Sequence, residues 1–264
     1  MTGFHQKLSK PFLLIIGFLS FFSTANAAKL ASIIIDDIGN SYEYGQTIIN
    51  FPASITLAIL PQTQFATRIA TQAHRNNKEV MLHLPLQSIE HHEPTPGTLK
   101  LHMTKQQFTE QLRKDLASVP YIRGINNHMG SLLTQHPGHM DWLMSEISTL
   151  NDVYFVDSLT SNKSVLTQAA TSHQVPNLVR DVFLDPDFRP ETIRKQFDRF
   201  ISISKKQGYA IAIAHPHPET LKFLEANLQR LADSGIELVP VSKLLELRGN
   251  ENHVTCTGTT CAGL

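Results

Sequence analysis

The segment Ser32–Asn40 places two adjacent carboxylates directly after an uninterrupted apolar run. Ile33–Ile35 are β-branched, Asp36 and Asp37 follow them at once, and Gly39 comes two residues later. Such a run is typical of a strand buried on both faces of a parallel sheet. Buried charge costs on the order of several kcal/mol unless it is paired or bound to metal. We therefore expect the two Asp side chains at the strand's carboxyl end, facing a cleft; an exposed turn is the alternative.

Candidate strands and helices alternate along the rest of the chain. Eight segments have the composition of strands: Leu30–Ile35, Ile55–Ile59, Glu79–Leu84, Ile122–Asn126, Val153–Val156, Leu178–Phe183, Tyr209–Ala214 and Ile236–Val239. Helical patterns lie between most of them: Phe65–Asn76, Lys105–Ser118, Trp142–Leu150, Ser164–His173, Arg189–Gln207 and Pro218–Asp233. This alternation predicts a parallel sheet. Seven to eight βα units without an interdomain linker favour a closed (β/α) barrel over an open sheet.

Residues 1–27 have the pattern of a secretory signal peptide. Lys7 and Lys10 precede the apolar run Phe12–Phe22, and Ala25 and Ala27 supply the small residues of an A-x-A cleavage site. An uncleaved anchor is the alternative, but the run is shorter than the roughly 20 residues that span a bilayer. We expect cleavage after Ala27, export to the periplasm and no stable membrane span in the mature protein.

Two other segments depart from the alternating pattern. Gln87–Met103 contains His91, His92 and two prolines without periodicity, and is predicted to be a long loop at one end of the barrel. Residues 249–264 are polar and are predicted to form a flexible tail. The two cysteines of this tail, Cys256 and Cys261, either form a small disulfide in an oxidising compartment or remain free thiols.

The charge balance argues against a nucleic-acid partner. The chain has 23 Lys and Arg against 23 Asp and Glu, so the formal net charge is zero. Domains that bind nucleic acids usually carry a basic excess. The count of 13 histidines is high and favours a metal site or an acid–base site without locating it.

Polar side chains stand at the ends of six predicted strands. In chain order these are Asp36-Asp37, His83, the segment Asn126–Ser131, Asp157-Ser158, Arg180-Asp181 and His215–His217. Each one alone has a structural interpretation as a cap, a turn or a hydrogen-bonded histidine. Because the carboxyl ends of barrel strands meet on one face, we expect a single convergent site.

The residue types at this face suit metal-assisted hydrolysis of an amide or ester. One Asp and two His, with positions left open for water and substrate, suit Zn²⁺ or a related divalent ion. Such an ion polarises a carbonyl and lowers the pKa of its bound water. A second carboxylate can then take the proton of the water, and a histidine can protonate the leaving group.

This ordered set of motifs resembles the divergent polysaccharide deacetylase family of exported bacterial proteins, within the polysaccharide deacetylase superfamily. The resemblance runs from about Lys29 to Arg248 and implies a distorted (β/α) barrel. It implies that Asp36 is the catalytic base, that Asp37 binds the metal, and that His215 assists as an acid.

One metal ligand departs from the superfamily pattern. Typical members supply two histidines from an H-x-x-x-H motif, whereas His83 is followed four residues later by Gln87. His128, at the next strand end, is the candidate replacement. The resemblance implies that Asp157 and Asp181 orient histidines or approach the metal, and that Arg180 holds Asp36 or substrate. The supporting or substrate-contacting residues are then Asn127, Ser131, Asp157, Arg180, Asp181 and His217.

The resemblance and the residues together predict a Zn²⁺-dependent hydrolase that acts on a non-peptide C–N bond. Its expected substrate is an acetylated envelope polysaccharide or a peptidoglycan fragment. The missing second histidine motivates an alternative, a non-catalytic protein that keeps the barrel and binds a glycan or an envelope partner. A hydrolase of another bond, such as a peptide amide, is the third hypothesis.

Overall fold

Apart from Met1, the computed structural model describes residues 29–90 and 95–247. The predicted signal peptide, the predicted tail disulfide and the two loop histidines His91 and His92 lie outside these residues. Among the described residues, no helix is both long and apolar enough to cross a membrane.

The described chain is an alternation of nine strands and eight α-helices. The strands are β1 (Lys29–Ile38), β2 (Ile55–Ile59), β3 (Val80–Leu86), β4 (Ile122–Met129), β5 (Tyr154–Asp157), β6 (Asn177–Val179), β7 (Val182–Phe183), β8 (Tyr209–Ala214) and β9 (Ile236–Leu238). The helices are α1 (Tyr42–Ile49), α2 (Ala66–Arg75), α3 (Lys105–Ser118), α4 (Pro137–Ile147), α5 (Leu166–Ser172), α6 (Pro190–Gln207), α7 (Pro218–Asn227) and α8 (Gln229–Asp233). Residues 241–247 are also helical.

The strands form one parallel sheet in the order β6-β5-β4-β3-β2-β1-β8-β7, and β9 pairs with the start of β1. The two ends of this order, β6 and β7, are consecutive in the chain. Between them, Arg180 N donates to Asp157 O of β5, and Asp181 N donates to Ile211 O of β8. This short segment therefore joins both sheet edges, so the sheet curls into a distorted (β/α) barrel and the predicted fold class is confirmed.

Strand alternation sorts the apolar side chains into two layers. Ile33 and Ile35 of β1 belong to the large cluster beneath the helices, whereas Ile34 belongs to a smaller cluster inside the barrel. Val241 and Leu244 complete the interior cluster near the amino ends of the strands. Apolar residues thus fill that end of the barrel, and the carboxyl ends are left for polar side chains.

Most predicted elements are confirmed, and the differences have physical reasons. The predicted strand Leu178–Phe183 divides into β6 and β7 because its pairing partner changes at Arg180. Helix α1 was not predicted, since Gly45 in its centre lowers helix propensity. In the structure a Cβ at Gly45 would collide with Ile69 of α2, so close helix packing explains the glycine.

The buried carboxylate of Glu79 connects three parts of the chain at the amino end of the barrel. Glu79 Oε1 accepts hydrogen bonds from Thr56 Oγ1 at 3.0 Å and from Tyr154 Oη at 2.8 Å. Ser242 N, in the first turn of the last helical segment, donates to Glu79 Oε2 at 3.2 Å. Glu79 therefore satisfies three donors from three separate parts of the chain.

We expect Glu79→Ala to lower the free energy of unfolding by roughly 2–4 kcal/mol, because two buried hydroxyl groups and a backbone N–H lose their acceptor. Urea denaturation of the variant and the parent measures this difference. Glu237→Ala, at an exposed position of β9, is the matched control and should change stability by less than about 0.5 kcal/mol. Equal effects of the two substitutions would contradict the role of Glu79.

A second buried carboxylate, Asp115 of α3, supports the long loop that follows β3. Its Oδ1 accepts from Gln62 Nε2 at 2.6 Å and from Gln111 Nε2 at 3.0 Å. Its Oδ2 is buried without a hydrogen-bond partner among the described residues. A Cβ at Gly97 of the loop, where φ is +86°, would collide with this carboxyl group. Burial raises the pKa of Asp115 to about 7, although both amide hydrogen bonds and Lys114 oppose the shift.

We expect Asp115 to make the fold less stable as pH rises from about 4 to 7. Its pKa is higher in the folded than in the unfolded chain, so the folded state binds the proton more tightly across this range. Asp115→Asn resembles the protonated form. The variant should therefore avoid the decrease of roughly 2–4 kcal/mol in the free energy of unfolding that we expect for the parent over this pH range. Denaturation from pH 4 to 8 tests this, with exposed Asp152→Asn as the control. The same pH slope in Asp115→Asn and the parent would overturn the expectation.

Candidate metal centre

A bulge at the end of β1 turns both carboxylates of the Asp pair toward one cavity. Neighbouring residues of a regular strand point to opposite faces. Here the register with β2 shifts between Ile35 and Ile38, and Asp37 has a left-handed φ of +58°. A bulge of this kind re-aims a side chain. Asp36 and Asp37 therefore both line the cavity at the barrel mouth.

Three potential metal-donor atoms from three strands converge beside this bulge. Asp37 Oδ1 lies 3.2 Å from His83 Nε2 of β3 and 3.0 Å from His128 Nδ1 of β4. The two ring nitrogens lie 3.2 Å apart. Asp37 Oδ1 is buried and accepts no hydrogen bond of normal geometry from the described residues. A carboxylate oxygen and two imidazole nitrogens that share one small space fit a divalent cation such as Zn²⁺.

Asn126 determines which nitrogen of His83 is free to bind a metal. Its Nδ2 donates to Asp36 Oδ1 at 2.8 Å, so its Oδ1 faces His83 Nδ1, also at 2.8 Å. An amide oxygen only accepts, and His83 Nδ1 must therefore carry the proton. The lone pair of Nε2 then points at Asp37, as a metal-binding histidine requires.

The two neighbouring carboxyl groups have opposite pKa shifts. Burial raises the pKa of Asp36, and this effect outweighs the attraction of His83 and His215 and the hydrogen bond from Asn126. Burial also opposes ionisation of Asp37, but its contacts with His128 and His83 hold the pKa of Asp37 well below its usual range. Asp37 is therefore the better anionic ligand, and Asp36 is the better proton acceptor.

His215 faces the Asp pair from the end of β8. Its Nδ1–H donates to Asp185 Oδ1 at 3.0 Å, and its Nε2 lies 3.8 Å from Asp37 Oδ2. Burial lowers the pKa of His215, but the hydrogen bond with Asp185 and the charges of both members of the Asp pair raise it to about 9 overall. The imidazole can therefore present a proton to the cavity from Nε2.

Asp185 is a site residue that the sequence did not reveal. It is 4% exposed, and its Oδ2 accepts from His215 N at 2.8 Å and from Thr220 Oγ1 at 2.9 Å. Asp185, His215 and His217 also form a second group with metal-donor atom types. Both oxygens of Asp185 already accept hydrogen bonds, so this group fits a cation less well than the group around Asp37.

The cavity has a volume of about 440 Å³ and combines a polar wall with an apolar one. The apolar side chains come from Met129, Leu159, Phe183 and Ile213. Arg180 also lines the cavity: its Nε donates to Ser158 O at 2.7 Å and its Nη2 to Leu159 O at 3.2 Å. Arg180 forms no ion pair with Asp36 within the described chain, and its contact with substrate stays a prediction.

Asp157 and Asp181 contact none of the described site histidines, which argues against the predicted role of these carboxylates in orienting them. Asp157 accepts hydrogen bonds from Leu159 N and Ser164 Oγ, which order the loop after β5. Asp181 accepts from Ile211 N. Neighbouring residues of an extended segment alternate between faces, so Arg180 points into the barrel and Asp181 does not.

Three further predicted residues lie around the cavity with separate contacts. Asn127 borders the cavity, but its side chain joins Met129 O to Ser158 N. Ser131 Oγ accepts from Ile89 N in the loop after β3. His217 lines an adjoining cavity of about 210 Å³, which shares Asp37 and His215 with the larger one and also contains Tyr44.

The fold and the site define a barrel of the polysaccharide deacetylase type. Residues 33–245 match the model of the divergent polysaccharide deacetylase family, and the chain belongs to this family. It is 36% identical over 227 residues to the uncharacterised protein YibQ of Escherichia coli K12, covering 86% of this chain and 70% of that protein.

Two solved structures share the fold. An uncharacterised protein from Agrobacterium tumefaciens C58 has a TM-score of 0.79 at 23% identity, over 84% of this chain and 91% of that one. A D285S mutant of the peptidoglycan deacetylase PdaC from Bacillus subtilis has a TM-score of 0.51 at 13% identity, over 88% and 98% of the two chains. At these identities the similarity establishes the barrel architecture.

We expect the purified protein to bind about one Zn²⁺ per chain, and Asp37→Ala, His83→Ala and His128→Ala each to lose it, because each removes one of three donors. Elemental analysis after dialysis, on protein without an affinity histidine tag, measures the stoichiometry. His74→Ala, an exposed histidine on α2, is the control and should keep the metal. Retention of Zn²⁺ by His128→Ala would show that His128 is not a ligand.

Proposed function

We propose that this protein is an exported, metal-dependent hydrolase that removes acetyl groups from an envelope polysaccharide or a peptidoglycan fragment. One observation carries the proposal: Asp37, His83 and His128 form a metal-donor set, and Asp36 and His215 border the same cavity. The family and the fold support a deacetylase, and the sequence of residues 1–27 supports export to the periplasm.

The metal-binding residues would be Asp37 Oδ1, His83 Nε2 and His128 Nδ1. A divalent ion held there would supply Lewis-acid polarisation of the acetyl carbonyl and a lowered pKa of water. Zn²⁺ suits one carboxylate and two imidazoles with open positions for water and substrate. Asn126 holds His83 in the tautomer that leaves Nε2 free for binding.

Asp36 is the proposed general base. Its Oδ1 accepts the hydrogen bond of Asn126, while its Oδ2 lies 3.6 Å from His83 Nε2, next to the three donor atoms. A proton taken from water at this place would go to Asp36 Oδ2. Burial favours the protonated carboxyl that results, because that form carries no charge.

His215 is the proposed general acid. Asp185 holds its ring through Nδ1, and Nε2 faces the cavity near Asp37 Oδ2. A leaving amine or alcohol on this side would receive the proton of His215 Nε2. Before that transfer, Asp185 stabilises the positive charge of the His215 ring.

The shape of the site is compatible with an acetylated sugar in a longer chain. The apolar wall at Phe183 and Ile213 offers a place for an acetyl methyl group, and Arg180 offers a donor for sugar oxygens. The adjoining cavity beside Tyr44 gives room for a neighbouring sugar ring, and an aromatic side chain suits its apolar face. A polymer or an oligomer is therefore the proposed substrate class.

We expect Asp36→Asn to lower acetate release from an N-acetylated glycan oligomer by about 10²–10⁴-fold while Zn²⁺ binding persists, because the proton acceptor is lost and the three ligands remain. Acetate is measured enzymatically on metal-loaded protein. Asp181→Asn, which lies away from the cavity, is the control and should keep parent activity. Parent activity in Asp36→Asn, or no acetate from the parent across chitin and peptidoglycan oligomers, would contradict the proposal.

Gln87 favours a second candidate function, a non-catalytic glycan-binding protein. It stands four residues after His83, where the superfamily pattern has its second histidine, and its side chain accepts a hydrogen bond from Leu101 N. In that case the parent and Asp36→Asn would bind glycan oligomers equally well and neither would release acetate. Calorimetry with both proteins separates this function from hydrolysis.

A further inference from the structure

His128 can bind a metal through Nδ1 only if its proton resides on Nε2. A neutral imidazole has one N–H and one lone pair, and the partner of the first nitrogen decides which nitrogen is free. The side chain of His128 is 15% exposed, so water alone does not determine its tautomer. His128 is the candidate replacement for a superfamily ligand, but it lies on β4 and not next to His83. A separate hydrogen bond is therefore needed to orient its ring.

The hydroxyl group of Thr95 lies at the required place. Thr95 Oγ1 is 3.3 Å from His128 Nε2, and the opposite ring nitrogen is the one that lies 3.0 Å from Asp37 Oδ1. A hydroxyl oxygen accepts a hydrogen bond through its lone pairs. We infer that Thr95 is a positioning residue of the metal centre, which accepts the Nε2–H of His128 and keeps Nδ1 available to the metal.

The turn that contains Thr95 is stabilised by its own hydrogen bonds. Thr95 O accepts hydrogen bonds from Thr98 N at 3.1 Å and from Thr98 Oγ1 at 2.5 Å. Leu99 N donates to Pro85 O at 2.9 Å, which joins the turn directly to β3. Thr95 therefore belongs to an ordered turn fastened to the strand that carries His83.

Gln87 forms hydrogen bonds that connect this loop to its surroundings. Its backbone N donates to Leu99 O at 3.0 Å, and its Oε1 accepts from Leu101 N at 2.8 Å. Its backbone oxygen also accepts from Leu133 N, in the segment that follows β4. The position where the superfamily pattern has a histidine thus anchors the loop, and the loop brings Thr95 to the replacement histidine.

A side-chain oxygen therefore orients the ring of each of the two candidate metal-binding histidines. Asn126 Oδ1 accepts from His83 Nδ1, and Thr95 Oγ1 accepts from His128 Nε2. Each ring is held on the side opposite its donor nitrogen, as is usual for histidines that bind metals. This inference rests on the proposed metal centre, but it does not require that the protein releases acetate.

The test compares Thr95→Val, which removes the hydroxyl at constant shape, with Thr95→Ser, which keeps it. Zn²⁺ affinity is measured by competition with a chromogenic chelator, and the hydrogen bond of the His128 Nε2–H is measured by ¹⁵N NMR and proton exchange in the Zn²⁺-loaded protein. We expect Thr95→Val to lose about 10–100-fold in affinity and to exchange the Nε2–H proton of His128 faster, and Thr95→Ser to resemble the parent in both measurements. Ser88→Ala removes a hydroxyl that donates to Glu90 O at 2.7 Å elsewhere in the same loop; it controls for loop damage and should resemble the parent.

Unchanged affinity and an unchanged Nε2–H signal in Thr95→Val would overturn the inference, and so would an equal loss in Thr95→Ser or Ser88→Ala. A parent that binds Zn²⁺ without releasing acetate would refute the proposed hydrolysis and leave the role of Thr95 intact. Neither measurement depends on acetate release, so the two failures are distinguishable.

Discussion

Two adjacent carboxylates that line one cavity are the constraint on which the rest of the structure depends. In a regular strand, Asp37 would point into the apolar layer beneath the helices, where an unpaired charge is strongly unfavourable. The bulge and the left-handed conformation at Asp37 bring it to the polar side instead. His83 and His128 of two other strands, and His215 at the end of a third, then surround the pair. The curl of the parallel sheet brings these strand ends to one place, so the site depends on the barrel.

Local sequence pattern was sufficient to predict the barrel and the residues that face one another across its mouth. The apolar runs predicted the strands, and barrel closure sends every carboxyl end to one face. Pattern could not tell which of two neighbouring polar residues points inward. Arg180 lines the cavity and Asp181 does not, and the chain changes pairing partner between them, which shifts where the alternation of faces begins. Such shifts arise from tertiary pairing and leave no mark in composition.

The sequence pattern also did not reveal the contacts of the residues that orient the site histidines. Asp185 follows β7, a strand of two residues that is too short to show alternation. Asn126 was recognised as part of a motif, but its contacts with Asp36 and His83 cross distances of 90 and 43 residues in the chain. Thr95 lies in a loop without periodicity. Contacts of this kind depend on the closed fold, so they become visible only in the structure.

The central claim is that Asp37, His83 and His128 form a metal site in which a histidine of β4 takes the place of a superfamily ligand. The most direct test is anomalous diffraction at the zinc edge from crystals of the protein grown with Zn²⁺. We expect one strong peak at about 2.0–2.2 Å from Asp37 Oδ1, His83 Nε2 and His128 Nδ1. A peak at Asp185, His215 and His217, or a Zn²⁺ ion that His128 does not contact, would contradict the claim.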